Sequence, residues 1–142
     1  MADLHHEIPI NAPARDVWDA ITTQQGLSGW WTQDSVVEPL RVGSVVELGF
    51  DKRALVLRLR LDEATPLKRM VWYCTGGDDE WKGTRLIWTI LEQDGVTTLH
   101  LLHGYWRSHS SKYAKSNTIW GELMHRLKDY IEGRHPGPRW KE

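Results

Sequence analysis

The sequence predicts an α+β domain in which a strongly bent antiparallel sheet wraps around one long C-terminal helix. Apolar and polar residues alternate through much of residues 35–106, a period typical of half-buried strands. In residues 110–132 the apolar residues recur at helical spacing, and Gly133 follows as a stop signal. The expected order is therefore one strand, two short helices, about six further strands and the long helix.

The first elements are predicted from the opening thirty residues. Alternation in "LHHEIPI", residues 4–10, indicates a half-buried strand. The stretch "NAPARDVWDAIT" then predicts a helix with Asn11 as its cap and Pro13 in its first turn. Gly26 is expected to end this helix, and a second short helix is expected to follow it.

The strands that follow are predicted from alternation and turn signals. The clearest is "ALVLRLRLDEA", residues 54–64, whose leucines at alternate positions are expected to face the core. Residues 84–93 and 96–106 predict a hairpin, because the Asp94-Gly95 dipeptide between them favours a tight turn. The polar, glycine-rich segment "GGDDEWKG", residues 76–83, is flexible enough to act as a lid, although most such loops are only connections.

Length and composition limit the class of protein. The 142 residues are expected to form one domain, residues 1–135, followed by a tail, residues 136–142. A net charge of −1 gives no electrostatic reason to expect nucleic acid as a partner. No apolar run approaches the ~20 residues that span a bilayer, so no membrane insertion is expected. The single cysteine, Cys74, and the lack of a signal-peptide pattern in "MADLHHEIPI" predict a cytoplasmic protein.

We expect no metal ion and no other cofactor. His100 and His103 are three apart on a strand and point to opposite faces, while His5 and His6 are adjacent and diverge. No carboxylate joins either pair at the spacing of a zinc site. Cys74 is expected to face inward among aromatic residues, where burial raises the pKa of a thiol and makes it inert.

Tryptophan is used far more often than phenylalanine, with nine residues against one. Nine such rings exceed what a compact core of this size needs. Either the chain uses tryptophan where others use phenylalanine, or several rings line a cavity. Trp30 and Trp31 are adjacent and cannot face the same way, so one ring can enter the core while the other needs a second apolar surface.

Five segments in order resemble the START-like (SRPBCC, helix-grip) superfamily, and within it the family of homologues of the activator of the heat-shock-protein-90 ATPase. They are "APARDVWDAIT" (12–22), "LSGWW" (27–31), "VGSVVELGF" (42–50), "TTLHLLHGYW" (97–106) and "WGELMHRLKDYIEG" (120–133). The resemblance covers nearly the whole chain. It implies a helix-grip fold of about seven strands around the C-terminal helix, with two short helices after the first strand.

The resemblance also implies a cavity between the sheet and the long helix. One ring of the tryptophan pair is expected to border it, and inward strand and helix residues to line it. The expected ligand-binding residues are Trp30, Trp31, Phe50, Leu57, Leu59, Trp72, Cys74, Trp88, Leu101, His103, Tyr113, Trp120, Leu123 and Met124. Aromatic walls with few polar groups suit a small apolar or aromatic molecule, bound without catalysis. The competing interpretation is that these side chains simply pack together.

Two other functions stay open at this level. One is an enzyme of cyclase or hydrolase type that uses His103, with Tyr105 or Tyr113, as acid and base. The other is a protein-interaction domain that binds a chaperone or forms a homodimer. Exposure of Trp81, Trp106 or Trp140 together on one face would favour this second alternative.

Overall fold

A seven-stranded antiparallel sheet and a 21-residue helix make up most of the structure, a computed structural model that describes residues 2–141. The elements in chain order are β1 (Ala2–Ile10), α1 (Ala14–Thr22), α2 (Gln24–Trp30), β2 (Asp34–Val37), β3 (Val45–Phe50), β4 (Leu55–Thr65), β5 (Arg69–Gly76), β6 (Arg85–Gln93), β7 (Val96–Trp106) and α3 (Ser111–Ile131). The predicted fold class is confirmed. No helix within residues 2–141 is both long and apolar enough to cross a membrane.

The strand order across the sheet is β1-β7-β6-β5-β4-β3-β2. Strands β2 to β7 are joined to their sequence neighbours, and β1 pairs with β7 from the other end of the chain. The two short helices cross from the β1 edge to the β2 edge. The predicted hairpin of β6 and β7 forms, and Asp94 and Gly95 both adopt positive φ, as its tight turn requires.

The start of α1 differs from the predicted cap. Pro13 is itself the cap residue, with no side-chain cap bond, and Asn11 lies outside the helix. The Glu92 carboxylate of β6 instead accepts a 2.7 Å hydrogen bond from the backbone N–H of Ala14. The N–H of Asn11 donates to Glu132 at the far end of the chain, also over 2.7 Å. Both partners are distant in sequence, so local capping rules could not reveal them.

A β-bulge in β7 decides which of its last residues face the core. The register against β1 shifts next to Asp3, whose carboxylate accepts from the backbone N–H of Tyr105 over 3.2 Å. Tyr105 adopts a φ of 69° and points outward, while His103 and Trp106 both lie inside the fold. Strict alternation from His103 would have placed Tyr105 inside and Trp106 outside. At Gly104 a Cβ atom would lie 2.7 Å from the end of the Leu102 side chain and 2.8 Å from the Asp3 carboxylate, so any larger residue there would displace both side chains.

Two close approaches pack the short helices onto the rest of the fold. A Cβ atom on Gly26 would overlap the backbone of Ala20. Because glycine has no Cβ, α2 can turn back tightly on α1. A Cβ atom on Gly29 would overlap the ring of Tyr130, so α2 lies directly against α3 at this point. Neither glycine has a positive φ. Close packing, rather than backbone conformation, therefore favours glycine at both positions.

Indole rings form the centre of the core. Eight of the nine tryptophans are buried, and Trp140 is half-buried. Trp31 lies 5.1 Å from Trp120 and 6.4 Å from Trp72 between ring centroids. Trp72 in turn meets Trp88 at 6.0 Å, with the two planes almost perpendicular. These contacts connect the sheet, α2 and α3 in one aromatic layer.

Candidate functional site

A cavity of about 220 Å³ lies beside α3 at one end of the aromatic layer and opens to solvent. Its walls come from α2–β2, β3, β4, the loop between β5 and β6, α3 and the C-terminal segment. The lining residues are Trp31, Phe50, Leu55, Leu57, Asp78, Trp81, Lys112, Lys115, Ser116, Ile119, Trp120, Leu123 and Trp140. Most of this surface is apolar, and four of its residues are tryptophans.

The two adjacent tryptophans have different surroundings. Trp30 donates its indole N–H to the carbonyl of Ala20 over 2.9 Å and thereby ties α2 to α1 inside the core. Trp31 stacks on Trp30 at 5.3 Å and presents part of its ring to the cavity. The second apolar surface expected for one ring of the pair is therefore provided by Trp72 and Trp120, which contact the ring of Trp31.

Only part of the predicted lining borders the cavity. Five of the fourteen residues do so: Trp31, Phe50, Leu57, Trp120 and Leu123. The other nine lie elsewhere: Trp30, Leu59, Trp72, Cys74, Trp88, Leu101, His103, Tyr113 and Met124. Eight of these nine are buried in the core, and half-buried Tyr113 donates its hydroxyl to the carbonyl of Asp3 over 3.1 Å. The rings of Trp72 and Trp88 occupy the space that a deeper cavity would need.

Within this deep part, one polar atom has no hydrogen bond. The indole N–H of Trp88 finds no partner among the described residues. The rings of Trp30, Trp72 and Trp120 stand at 78–85° to it, with centroids 5.9–6.4 Å away. Trp88 therefore packs edge-to-face against three other indoles.

Sequence reasoning missed eight lining residues. Leu55 and Ile119 continue the alternating and helical apolar patterns, and these patterns could have identified them. The remaining six are Asp78, Trp81, Lys112, Lys115, Ser116 and Trp140. They belong to a loop, to the polar first turns of α3 and to the C-terminal segment, where no local pattern indicates contact with a core.

The C-terminal segment forms one wall of the cavity. The carbonyl of Trp140 accepts from the Gln33 N–H over 2.9 Å, and the Trp140 N–H donates to the Trp31 carbonyl over 3.2 Å. The Trp140 ring meets Phe50 edge-on at 5.0 Å. An ion pair between Arg139 and Glu122 of α3 holds the segment from its other side. Residues 136–140 therefore lie against the domain beside the cavity mouth.

The loop between β5 and β6 forms the opposite wall and is fixed by one carboxylate. Asp78 accepts from the backbone N–H groups of Glu80 and Trp81, over 2.9 and 3.1 Å, and pairs with Lys112 over 2.8 Å. Burial raises the pKa of Asp78, but these donors outweigh it and lower the pKa overall. Trp81 reaches under α3, where its indole N–H donates to the Ser116 hydroxyl over 3.2 Å.

His103 lies behind the cavity wall and has both ring nitrogens engaged. Trp120, which can only donate, gives its N–H to Nδ1 over 3.1 Å, so Nε2 must carry the proton. Nε2 then donates to the Thr84 hydroxyl over 2.8 Å, and Thr84 donates to the carbonyl of Trp81 over 2.6 Å. Burial lowers the pKa of His103 to about 3, which keeps the ring neutral.

The family model that describes Activator of Hsp90 ATPase homolog 1-like proteins matches residues 11–132. The chain belongs to this family. The resemblance drawn from the five sequence segments is thereby confirmed, and the shared fold extends over the same residues. A comparison of the sequence with curated proteins gives no match.

Solved structures with the same fold include a relative that covers almost the whole chain. The Aha1 dimer from Colwellia psychrerythraea has a TM-score of 0.83 and 27% identity, covering 94% of this chain and 98% of that one. DynU16, from the dynemicin biosynthetic locus, has a TM-score of 0.78 and 19% identity, covering 99% and 51%. Protein MLL2253 from Mesorhizobium loti has a TM-score of 0.79 and 18% identity, covering 92% and 97%. The last two show the fold alone.

The arrangement offers little for covalent or acid–base chemistry at the cavity. Cys74 is buried, and burial raises the pKa of its thiol to about 11. Tyr105 lies on the outer face of the sheet, under the guanidinium of Arg85 at 5.6 Å from the ring centroid. Among residues 2–141 no three His, Cys, Asp or Glu side chains are placed to hold a metal ion. What the cavity offers is apolar contact and a few hydrogen-bond donors.

Proposed function

We propose that this protein binds a small apolar or aromatic molecule in the cavity and does not transform it. The observation that carries the proposal is an open space of about 220 Å³ walled by tryptophan, phenylalanine and leucine side chains. Such a surface exposed to water is unfavourable, and a ligand that covers it regains about 25 cal/mol for each Å² of apolar area removed from water. We place this function in the cytoplasm, on the grounds of the single cysteine.

The engagement of His103 favours binding over catalysis. A general base must reach the proton that it abstracts, either directly or through one water. Both nitrogens of His103 are bonded within the core, and the residue does not line the cavity. The groups that the cyclase or hydrolase alternative would use, His103 and Tyr105, are therefore absent from the cavity lining. The ionisable side chains that do line it are Lys115 and the Asp78–Lys112 ion pair.

Native mass spectrometry of protein purified gently from its own cells tests the proposal. We expect a stoichiometric extra mass that is released on denaturation. Ile119→Trp fills the cavity from α3 and should abolish the extra mass. Ile131→Trp is the matched control, because Ile131 is also a half-buried isoleucine of α3 but lies away from the cavity. Retention of the extra mass in the Ile119 variant would contradict binding at this site.

A homodimer is the second candidate function, and two observations favour it. The Colwellia relative is described as a dimer. Beside the β2 edge of the sheet, Val36, Leu40 and Val42 are 45%, 43% and 69% exposed. The exposed tryptophan face expected of an interaction domain is not present, since Trp81 and Trp106 are buried.

Sedimentation velocity over a range of protein concentrations tests the dimer. If it forms through this edge, Val42→Glu should shift the protein to monomer. Leu91→Glu should not, because Leu91 is similarly exposed, at 62%, but lies on β6, an interior strand that has neighbours on both sides. A wild-type protein that sediments as a monomer at every concentration would contradict this candidate.

A further inference from the structure

The cavity mouth carries more positive than negative charge. Lys115 lines the cavity and is exposed, and no carboxylate of a residue in the described range 2–141 pairs with it. Lys112 lies one turn earlier on α3 and is paired with Asp78. The positive end of the α3 dipole adds to this charge, because both lysines lie in its first turns.

The buried hydroxyl at the same wall is also available as a donor. Ser116 is 6% exposed and accepts the indole N–H of Trp81. Its own proton meets no acceptor among the described residues. A hydroxyl carries one donor and two acceptor positions, so Ser116 can donate to a group that enters the cavity.

The carboxylates near the cavity mouth already accept hydrogen bonds from the protein. Both oxygens of Asp78 are bonded, one to two backbone N–H groups and the other to Lys112. The Glu80 carboxylate accepts from the Ser110 hydroxyl and does not line the cavity. The free hydrogen-bonding groups of the cavity are therefore mainly donors, the Lys115 ammonium and the Ser116 hydroxyl proton, and one of them carries a full positive charge.

The volume of the cavity limits the size of the apolar part of a ligand. A cavity of about 150 Å³ in another protein holds one benzene ring. The cavity here is about 220 Å³, so it has room for two fused rings but is smaller than the usual range of drug-sized pockets, about 300–1,000 Å³. Flat rings match its walls, since Trp31, Trp81, Trp120 and Trp140 all border it.

From these observations we infer that the ligand is a two-ring aromatic molecule with one negatively charged group, whose rings lie among the tryptophans and whose charge faces Lys115 and Ser116. This inference rests on the proposed function and adds the chemical class of the ligand. A carboxylate or another singly charged oxyanion satisfies both donors, and an ammonium or guanidinium group would leave Lys115 facing a like charge.

The test compares two probes of nearly equal shape, 2-naphthoate and 2-naphthamide, titrated into the full chain and followed by protein NMR shifts. We expect both to bind and the charged probe to bind at least about fivefold more tightly, with the difference shrinking as salt is added. In Lys115→Gln the preference should shrink to about twofold or less, because only Ser116 and the positive end of the α3 dipole then favour the anion. Lys68→Gln is the control, because Lys68 is exposed in the β4–β5 turn, does not line the cavity and should leave the preference unchanged.

The other outcomes overturn the inference in distinguishable ways. Equal affinities in the wild type, or tighter binding of 2-naphthamide, would refute the charged ligand while leaving an apolar binding cavity in place. A preference for 2-naphthoate that is undiminished in Lys115→Gln would refute the assigned position of the charge. Failure of both probes to bind at millimolar concentration would overturn the proposed function and this inference together.

Discussion

The indole N–H of Trp120 donates to Nδ1 of His103 across 3.1 Å, and this bond joins α3 to β7 behind the cavity. The same indole borders the cavity on its other side. The cavity wall is therefore part of the packed core, because its back is fixed by a hydrogen bond and by the rings of Trp31, Trp81 and Trp88. A wall held in this way is formed before any ligand arrives.

Removing the Trp120 ring should be costly. Trp120 is 1% exposed and contacts several rings, so Trp120→Ala should lower the free energy of unfolding by about 3–5 kcal/mol. Chemical denaturation of the two proteins measures this difference. Trp140→Ala is the comparison, because half-buried Trp140 also lines the cavity but should lose clearly less stability. A loss of only about 1 kcal/mol for Trp120→Ala would indicate a loosely packed, water-filled space behind the ring.

His103 should make the protein less stable in mild acid. Its pKa is lowered by burial from 6.5 to about 3, so between these values the unfolded chain binds a proton that the folded protein does not. The free energy of unfolding should therefore fall by about 1.4 kcal/mol for each pH unit below 6.5, as far as about pH 3. Above pH 6.5 this contribution is constant.

The variant His103→Gln isolates that slope from other groups. Glutamine does not titrate, so its unfolding free energy should vary less steeply between pH 6.5 and 4.5 than that of the wild type. Partly buried His6, whose pKa is also lowered by burial, contributes equally to both proteins. Parallel curves, or an NMR titration of His103 near pH 6.5, would show that the ring is not the buried, doubly bonded group described here.

Contact between α2 and α3 depends on a missing side chain. Gly29→Ala introduces a methyl group that overlaps the ring of Tyr130, so we expect a loss of about 1–3 kcal/mol in unfolding free energy. Gly121→Ala is the matched control on α3, since its Cβ would meet nothing nearer than 4.0 Å. Alanine should be neutral or stabilising there, by up to about 1 kcal/mol. Thermal melts that rank the two variants in the opposite order would contradict the packing.

Trp140 should control how long a ligand stays. The ring forms one wall of the cavity and is held through backbone bonds to Gln33 and Trp31. Trp140→Ala should raise the dissociation rate of 2-naphthamide by about fivefold or more, while changing the association rate less. NMR line shapes in a titration give both rates. Trp140→Phe should restore most of the lifetime, and an alanine variant with unchanged dissociation would remove Trp140 from the site.

Most of the fold could be predicted because its signals are local. Alternation in β4 and helical spacing in α3 follow from one-sided burial, and the Asp94-Gly95 turn follows from its backbone conformation. The bulge near Tyr105 and the cap of α1 could not be predicted in this way. Each depends on a carboxylate brought from elsewhere, from Asp3 in one case and Glu92 in the other.

The site was less predictable than the fold for a related reason. Eight inward-facing strand residues, Leu59 and Leu101 among them, were expected to line a cavity. Alternation, however, reports only which face is buried and not whether space remains beside it. The rings of Trp72 and Trp88 fill the deep part, and the open part lies where Trp81 and Trp140 arrive from a loop and from the C-terminal segment. The volume and contacts of these rings depend on the tertiary structure.

The measurement that tests the central claim most directly is the position of a bound neutral probe, determined by intermolecular nuclear Overhauser effects between 2-naphthamide and the protein's methyl groups. The account predicts contacts from the probe to Leu57, Ile119 and Leu123, which line the cavity, and none to Leu59 or Leu101 in the packed core. Contacts to Leu59 or Leu101, or to residues of the outer face alone, would contradict it.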